Sequence, residues 1–426
     1  MSFPHHHCVG ARMTIGQARL MSSLQEEPVP PRLMEPRAAG PTKRVLLVRG
    51  GVLTRFSGIG GAFHDLKNAL EGGEIPGWQS VGVEEYDLGE NPSGLKRLRE
   101  RWFRHPARVA AHIKKLHRAS EVDLVFVSDQ EQAHLVPTTS PVPVVVYVHD
   151  LFHLFPEVVT LSGESVEVGE PRPGFIRRRD LRRLMKGLKR ANAFICSTSA
   201  VAEVCRQHFP DTPLYQIPYA IDVERYAPPA ALPATPEALD SSACHLLVVG
   251  SHDPRKRLAF LIRVLSKLPE AVAKDVQVHH IGGDTCPHGG PSASSLAKKH
   301  GVAWRTVGSN ISDEVLNAYR WHCEALLFPS GAEGFGYPTV ESMAAGQPVL
   351  ASDRPAHNEL VPQGMPLPPE DEGAWVNAIL EVHATWAGRE GAPRQAEQAL
   401  MDHVSFLAPE RFNQAMSDAW GTTASS

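Results

Sequence analysis

The sequence predicts an α/β protein with two doubly wound parallel-sheet domains facing a cleft, and three observations lead there. At 426 residues the chain is longer than one hydrophobic core ordinarily organises. Apolar runs of strand length alternate with stretches whose apolar residues recur at helical spacing, the order of parallel strands covered by helices. That alternation halts at a Pro/Ala-rich segment and then begins again.

Residues 1–42 are rich in Pro, Glu, Arg and small residues, so a disordered tail is expected there, with His5, His6 and His7 as part of it. Order begins at Arg44-Val-Leu-Leu-Val-Arg49, an apolar run that ends in glycines, as a strand buried on both faces does. Ser57-Gly-Ile-Gly-Gly then leads into helical spacing through Leu70, giving strand, glycine loop and helix. Further strands are expected at 79–83, 123–127, 142–148, 193–196 and 215–217, which together make a Rossmann-like first domain over 43–223. Tyr226-Ala-Pro-Pro-Ala-Ala-Leu-Pro reads as the start of a stiff linker over 224–242. A second Rossmann-like domain over 243–405 starts with His245-Leu-Leu-Val-Val-Gly-Ser251 and continues with strands at 276–281, 303–307, 325–328 and 348–351. Residues 406–426 are left as a C-terminal helix and tail. In such sheets ligands gather beyond the carboxyl ends of the strands, so the loops there are where chemistry is sought.

Composition narrows the function classes. A 42% hydrophobic and 21% charged content is that of a globular protein, and no apolar run reaches the length of a membrane-spanning helix. Met1-Ser-Phe-Pro-His-His-His has no basic flank followed by a hydrophobic segment, so cytoplasmic residence is the expectation. The six cysteines are scattered, without a CxxC pair, and read as reduced thiols. Asp284, Cys286 and His288 share one loop but fall short of a convergent zinc set, so no metal is expected. Over 43–225 there are 25 Lys and Arg against 22 Asp and Glu; from 226 on there are 14 against 22. The basic excess lies mainly in 95–118 and 176–190. Trp102 and Phe103 amid arginines suit a helix lying on acidic lipid at the inner face of a membrane. A solvated helix face is the favoured reading, because acids and Pro106 interrupt the pattern. No nucleic-acid partner is expected.

The loop after the 325–328 run carries the most chemistry. Gly331-Ala-Glu-Gly-Phe-Gly-Tyr-Pro leads into Thr339-Val-Glu-Ser-Met-Ala-Ala-Gly346, with Pro338 suited to a first helical position and Gly346 to the residue past a helix end. Such a helix would aim free amides at a phosphate. Gly334 and Gly336 allow close backbone approach. Glu341 is expected in the first turn, where it could accept hydrogen bonds from a ribose diol, with Glu333 eight residues earlier pointing beyond the phosphates.

These residues resemble glycosyltransferase family 4, retaining enzymes of the two-Rossmann-domain GT-B fold. The resemblance rests on Pro329-Ser330-Gly-Ala-Glu333-Gly-Phe-Gly336 and on Glu341-Ser-Met-Ala-Ala-Gly346. It implies that Glu341 holds the donor ribose, that Glu333 and the amides of Gly334, Phe335 and Gly336 address the donor sugar, and that Thr339 belongs to the same donor site. It extends over about 43–420, and implies a C-terminal helix returning to the first domain. Gly250-Ser-His-Asp-Pro-Arg-Lys-Arg257 resembles the phosphate-binding loop, with Arg255 and Lys256 offsetting the diphosphate charge. Ser57-Gly-Ile-Gly60 resembles the glycine loop that closes over the diphosphate, through Gly58 and Gly60. Val146-Tyr-Val-His149-Asp150 resembles the His-Asp after the fourth strand, which places His149 at the donor sugar. Cys196-Ser-Thr-Ser199 and Ile217-Pro-Tyr-Ala-Ile-Asp222 match the last first-domain strands and the crossover.

The implied activity is transfer of a hexose, with a lean to mannose or glucose, from a GDP-mannose- or UDP-glucose-type donor to a glycan, lipid-linked or small-molecule acceptor. Configuration is retained, with no cofactor beyond the nucleotide sugar and no metal, in keeping with the lack of an Asp-x-Asp motif. Two departures stand out: Gly250-Ser251 where many members have Gly-Arg, and Tyr219-Ala220 where Asn-Gly is usual. The competing readings are an epimerase, a phosphorylase, or a catalytically inactive nucleotide-sugar-binding subunit of a glycan-assembly complex. Intact Glu333, Glu341, Arg255 and Lys256 weigh against the last.

Overall fold

The computed structural model describes residues 42–52, 58–89, 91–161, 163–233, 235, 236, 239, 242–287 and 289–426. The tail through residue 41, Ser57, parts of the 224–242 linker and His288 lie outside the described residues.

Six parallel strands form the first sheet in the order β2-β1-β3-β4-β7-β8: β1 (Lys43–Gly51), β2 (Trp78–Tyr86), β3 (Leu124–Val127), β4 (Val144–Val148), β7 (Ala193–Cys196) and β8 (Leu214–Gln216). Between β4 and β7 a separate antiparallel hairpin pairs β5 (Glu157–Leu161) with β6 (Glu164–Val168). The second sheet runs β11-β10-β9-β12-β13, also parallel, from β9 (Cys244–Val249), β10 (Val276–Ile281), β11 (Trp304–Gly308), β12 (Ala325–Phe328) and β13 (Val349–Ala351). The strands the sequence led one to expect are all present. Their apolar runs follow from burial on both faces: Val45, Leu46, Leu47 and Val48 are all without solvent exposure, because helices cover both sides of β1.

One apolar cluster joins the two sheets. It runs from Leu47, Phe126 and Tyr147 through Tyr226 and Leu239 to Leu326 and Met343. After Asp222 the chain is docked at Val223–Tyr226 and at Leu239: Asp222 caps the short Val223–Tyr226 helix, and the Trp321 indole donates to the Tyr226 carbonyl at 2.7 Å. The chain ends on the first sheet. In the Pro409–Thr423 helix Trp420 meets Trp78 and Phe126 edge-on, with centroids 5.4 and 5.3 Å away, and Ser417 Oγ donates to Pro76 O at 2.6 Å.

Two local features depart from the sequence reading. Pro106 does not interrupt the basic 94–118 segment. Its missing N–H leaves the Trp102 carbonyl without a helical partner, and the chain absorbs this as a π turn over Glu100–Arg104 inside a continuous helical run. The β5–β6 hairpin was not foreseen. Its Leu161, Val166 and Val168 pack with Ala332 of the second domain, and Arg263 pairs with Glu164 at 2.7 Å, so the hairpin reaches across to the other sheet.

Candidate active site

The order of the second sheet reverses between β9 and β12, which opens a crevice beyond the carboxyl ends of those two strands. The loop after β9 contains Arg255 and Lys256 in a one-turn 3-10 helix, Pro254–Lys256, started by the Asp253 carboxylate accepting from Arg255 N at 3.0 Å. The loop after β12 is tied to it directly. Gly331 N donates to Arg255 O at 2.7 Å, and Arg255 Nη1 donates to Ala332 O at 2.9 Å.

These ties bring together three charged residues that are 77 and 78 positions apart. Arg255 Nη1 reaches Glu333 Oε2 at 2.8 Å, Lys256 pairs with Glu333 Oε1, and Ser330 Oγ donates to the same oxygen at 2.6 Å. Burial alone would raise the Glu333 carboxyl, but Lys256 and then Arg255 hold it well below the usual carboxylate range, so it stays ionised. Burial lowers the Lys256 ammonium, against the pull of Glu333; Arg255 is raised, because Glu333 outweighs its burial. Arg255 is also 3.8 Å from the Asp253 carboxylate, so the two cations here are matched by two carboxylates.

The helix after this loop spans Tyr337–Ala344. Gly336 caps it with φ +101°, a conformation that favours glycine, and Gly346 follows its end at φ +61°. Because it begins at Tyr337, Pro338 is its second residue and Glu341 lies in the second turn rather than the first. Thr339 turns its hydroxyl back to Gly336 O at 2.7 Å and is wholly buried, so it fixes the cap. Glu341 is held by the buried Arg320 and by the Tyr226 hydroxyl at 3.2 Å. The arginine comes from the Asp313–His322 helix, and nothing in the 333–341 motif announces it.

Across the cleft, the first domain contributes His149 at the carboxyl end of β4. Its Nε2–H donates to Ser128 O at 2.9 Å, so Nδ1 is the acceptor for the Tyr219 hydroxyl. Burial pushes the imidazole down to about 4, so the ring is neutral. Tyr219, the residue that departs from the usual Asn-Gly, stacks on this ring at 5.6 Å and meets Phe335 edge-on at 4.8 Å. A Cβ on Gly334 would collide with the His149 carbonyl, and one on Gly58 would come within 3.2 Å of the Tyr337 ring. The two glycines thus let the domains meet. Gly60, two residues further on, is buried.

Other contacts close the cleft. Ser197 and Thr198 donate their hydroxyls to Gly334 O at 3.2 and 3.0 Å. Glu359, from the second domain, accepts from the amides of Ser199 and Ala200 at 2.7 and 3.1 Å, at the start of the Ser199–His208 helix. His357 sits buried beside Gly336 with both ring nitrogens unpartnered, and burial lowers it to about 4. The structure thus gathers Arg255, Lys256, Glu333, Gly334, Phe335, Gly336 and His149 around one crevice. Glu341 and Thr339 stand behind it on the adjoining helix. Asp284, by contrast, is consumed by Ser294 and Thr306 as a loop brace.

Comparison with known proteins agrees with this architecture. Residues 243–385 match the family described as glycosyl transferases group 1, and residues 76–225 match glycosyltransferase family 4; together they take in more than half of the chain. The O-antigen chain mannosyltransferase RfbU of Salmonella typhimurium is 42% identical over 59 residues, which are 14% of this chain and 17% of that protein. An MMP alpha-(1->4)-mannosyltransferase of Mycolicibacterium hassiacum is 31% identical over 117 residues, 27% of this chain and 28% of that one. The chain therefore matches less than a third of the length of either curated relative. HepE from Anabaena, solved with UDP and glucose, superposes with a TM-score of 0.58 at 16% identity, covering 90% of this chain and 99% of that chain, a likeness of fold. With the motif, the paired sheets and both family matches in agreement, the chain belongs to the group 1 glycosyltransferases of family 4.

Proposed function

We propose that the protein transfers a hexose, mannose before glucose, from a nucleoside-diphosphate sugar to a glycan or lipid-linked acceptor with retention of configuration. The observation that carries this is the convergence of Arg255, Lys256 and Glu333 at the point where the second sheet reverses, beside the amides that open the Tyr337–Ala344 helix. The mannosyl lean is supported by RfbU and the Mycolicibacterium enzyme, both of them mannosyltransferases. HepE, with its UDP and glucose, keeps a uridine donor open as the second choice.

In this reading the donor diphosphate lies against Arg255, Lys256 and the helix amides, and Glu341 faces the ribose. Glu333 accepts from sugar hydroxyls once the diphosphate engages its two cations. The bond from the anomeric carbon to the diphosphate oxygen breaks, and the acceptor oxygen bonds to that carbon on the same face. The acceptor proton passes to the departing diphosphate oxygen. Negative charge grows on the leaving group, and Arg255, Lys256 and the helix amides beside it offset that charge. The neutral His149 and the Gly334 backbone border the sugar.

A thermal-shift screen of nucleotides and nucleotide sugars tests the donor class, since a ligand of the folded state raises the melting temperature. GDP-mannose should give the largest rise. Transfer by the wild type is then compared with Lys256→Ala and Glu341→Ala; undiminished activity in both refutes the site. Tight donor binding with no turnover across acceptors would favour the inactive binding subunit.

A further inference from the structure

We propose that the first domain carries a docking surface for an anionic lipid bilayer, built where the 94–118 helical run meets the Phe175–Leu188 helix. Of the eight large hydrophobic side chains that stand exposed among the described residues, four belong to these two elements: Leu95 (79% exposed), Phe103 (59%), Phe175 (71%) and Ile176 (54%). They are 72 or more residues apart in sequence between the two elements, yet the fold sets them side by side. Leu98, Trp102, Phe175 and Ile176 line one groove. The Trp102 indole donates to Asp180 at 2.8 Å, and Arg183 lies over the rings of both Trp102 and Phe103, at 4.9 and 5.3 Å. Leu95 is one helical turn before Leu98, on the same face.

The charge around these side chains selects the partner. In the Phe175–Leu188 helix Asp180, Leu184, Gly187 and Leu188 face inward, and Gly187 packs so closely on the Ala133 carbonyl that no side chain would fit. The opposite stripe is Phe175, Arg179, Arg182 and Lys186, at spacings of four, three and four residues, and all four are exposed. Arg99 and Arg104 are exposed on the facing helical run. The acids nearby are already committed: Asp180 to Arg101 and Arg177, and Glu131 to Arg177. What faces outward is therefore aromatic and aliphatic side chains in a ring of cations. That pattern suits the boundary between anionic headgroups and acyl chains, and it does not suit a neutral protein partner.

The surface adjoins the cleft. Its helix packs on the Gln130–Leu135 turn that follows β3, and Gln130 Oε1 accepts from His149 N at 3.0 Å. A bilayer docked here lies one helix's width from the turn that holds His149, a placement that favours a lipid-linked acceptor. Only that consequence rests on the glycosyl-transfer reading; bilayer binding itself does not.

Pelleting with phosphatidylcholine vesicles, with and without phosphatidylglycerol, tests the proposal on the full chain. Binding is expected only with phosphatidylglycerol, and should weaken as salt is added. Each of two double variants, Phe103→Ser with Phe175→Ser and Arg179→Glu with Arg182→Glu, should weaken it by roughly tenfold or more. All four positions are exposed, so melting temperature and nucleotide-induced thermal shift should stay at wild-type values. Absence of pelleting, equal pelleting with both vesicle types, or undiminished pelleting by both variants overturns the proposal. So does a wild-type dimer in sedimentation velocity that the same variants abolish.

Discussion

Glu359→Ala tests whether the cleft is held shut by specific contacts. The carboxylate accepts two amide hydrogens, from Ser199 and Ala200, across the domain boundary. The helix it touches does not depend on it for a cap, because Thr198 Oγ1 already accepts from Val201 N. The loss therefore falls on domain contact rather than on the helix. A partly exposed carboxylate on helix amides contributes about 1 kcal/mol, the middle of the range for caps and for charges at a helix start. That energy changes the ratio of closed to open molecules about fivefold. Pulsed electron resonance between one spin label in each domain should show the longer distances gaining weight by about that factor. Donor affinity should fall by no more than the same factor, since only the closed fraction is competent. Ser197→Ala, which removes a hydroxyl donated to Gly334 O and leaves the Thr198 cap intact, should shift the ratio in the same direction. Distance distributions that match the wild type in both variants would rule out these contacts as what holds the cleft shut.

Further outcomes follow from the same geometry. Glu333→Gln should lower turnover about a hundredfold or more, the scale for losing a preorganised contact to the transition state, while nucleotide affinity holds or rises because two cations lose their carboxylate. Glu341→Ala strands the buried Arg320, so it should cost about 3 kcal/mol in urea unfolding besides weakening donor binding. Asp129, buried at the end of β3, is pushed up to about 6 by burial. An acid with a raised pKa costs stability as the pH climbs from its unfolded value, near 4, through 6. Asp129→Asn should therefore stabilise at pH 7 to 8 by up to about 3 kcal/mol, and should lose that advantage below pH 4. His149 and His357, held neutral and lowered to about 4, work the other way: their contribution is complete above about pH 6.5 and is lost as the pH falls toward 4. Urea titrations across that window should show stability declining with proton uptake.

Much of this was legible in the sequence because it is local. Buried parallel strands must be apolar on both faces, so 43–51 and 244–249 declare themselves. The turns that face the crevice need glycines and a helix start, so the 329–346 segment does too. What sequence reading missed was set by partners far along the chain. Arg320 is an ordinary residue of an amphipathic helix until folding places it on Glu341. Glu359 and Ser197 acquire meaning only where the domains touch. Gly334, read as making room for a ligand, also makes room for the His149 backbone. The β5–β6 hairpin escaped notice because its alternation is short and its apolar face is completed by Ala332, from the other domain. Pro106 misled, since a π turn carries the helix past it.

On the proposed function, Arg255 and Lys256 receive the diphosphate of a nucleotide sugar. Following donor cleavage by proton magnetic resonance, with GDP-mannose and UDP-glucose in turn, tests it most directly. One donor should be consumed, the first-formed sugar product should keep the donor's anomeric configuration, and Lys256→Ala should slow the reaction about a hundredfold or more. Inverted product, or a Lys256→Ala enzyme as fast as the wild type, would contradict it.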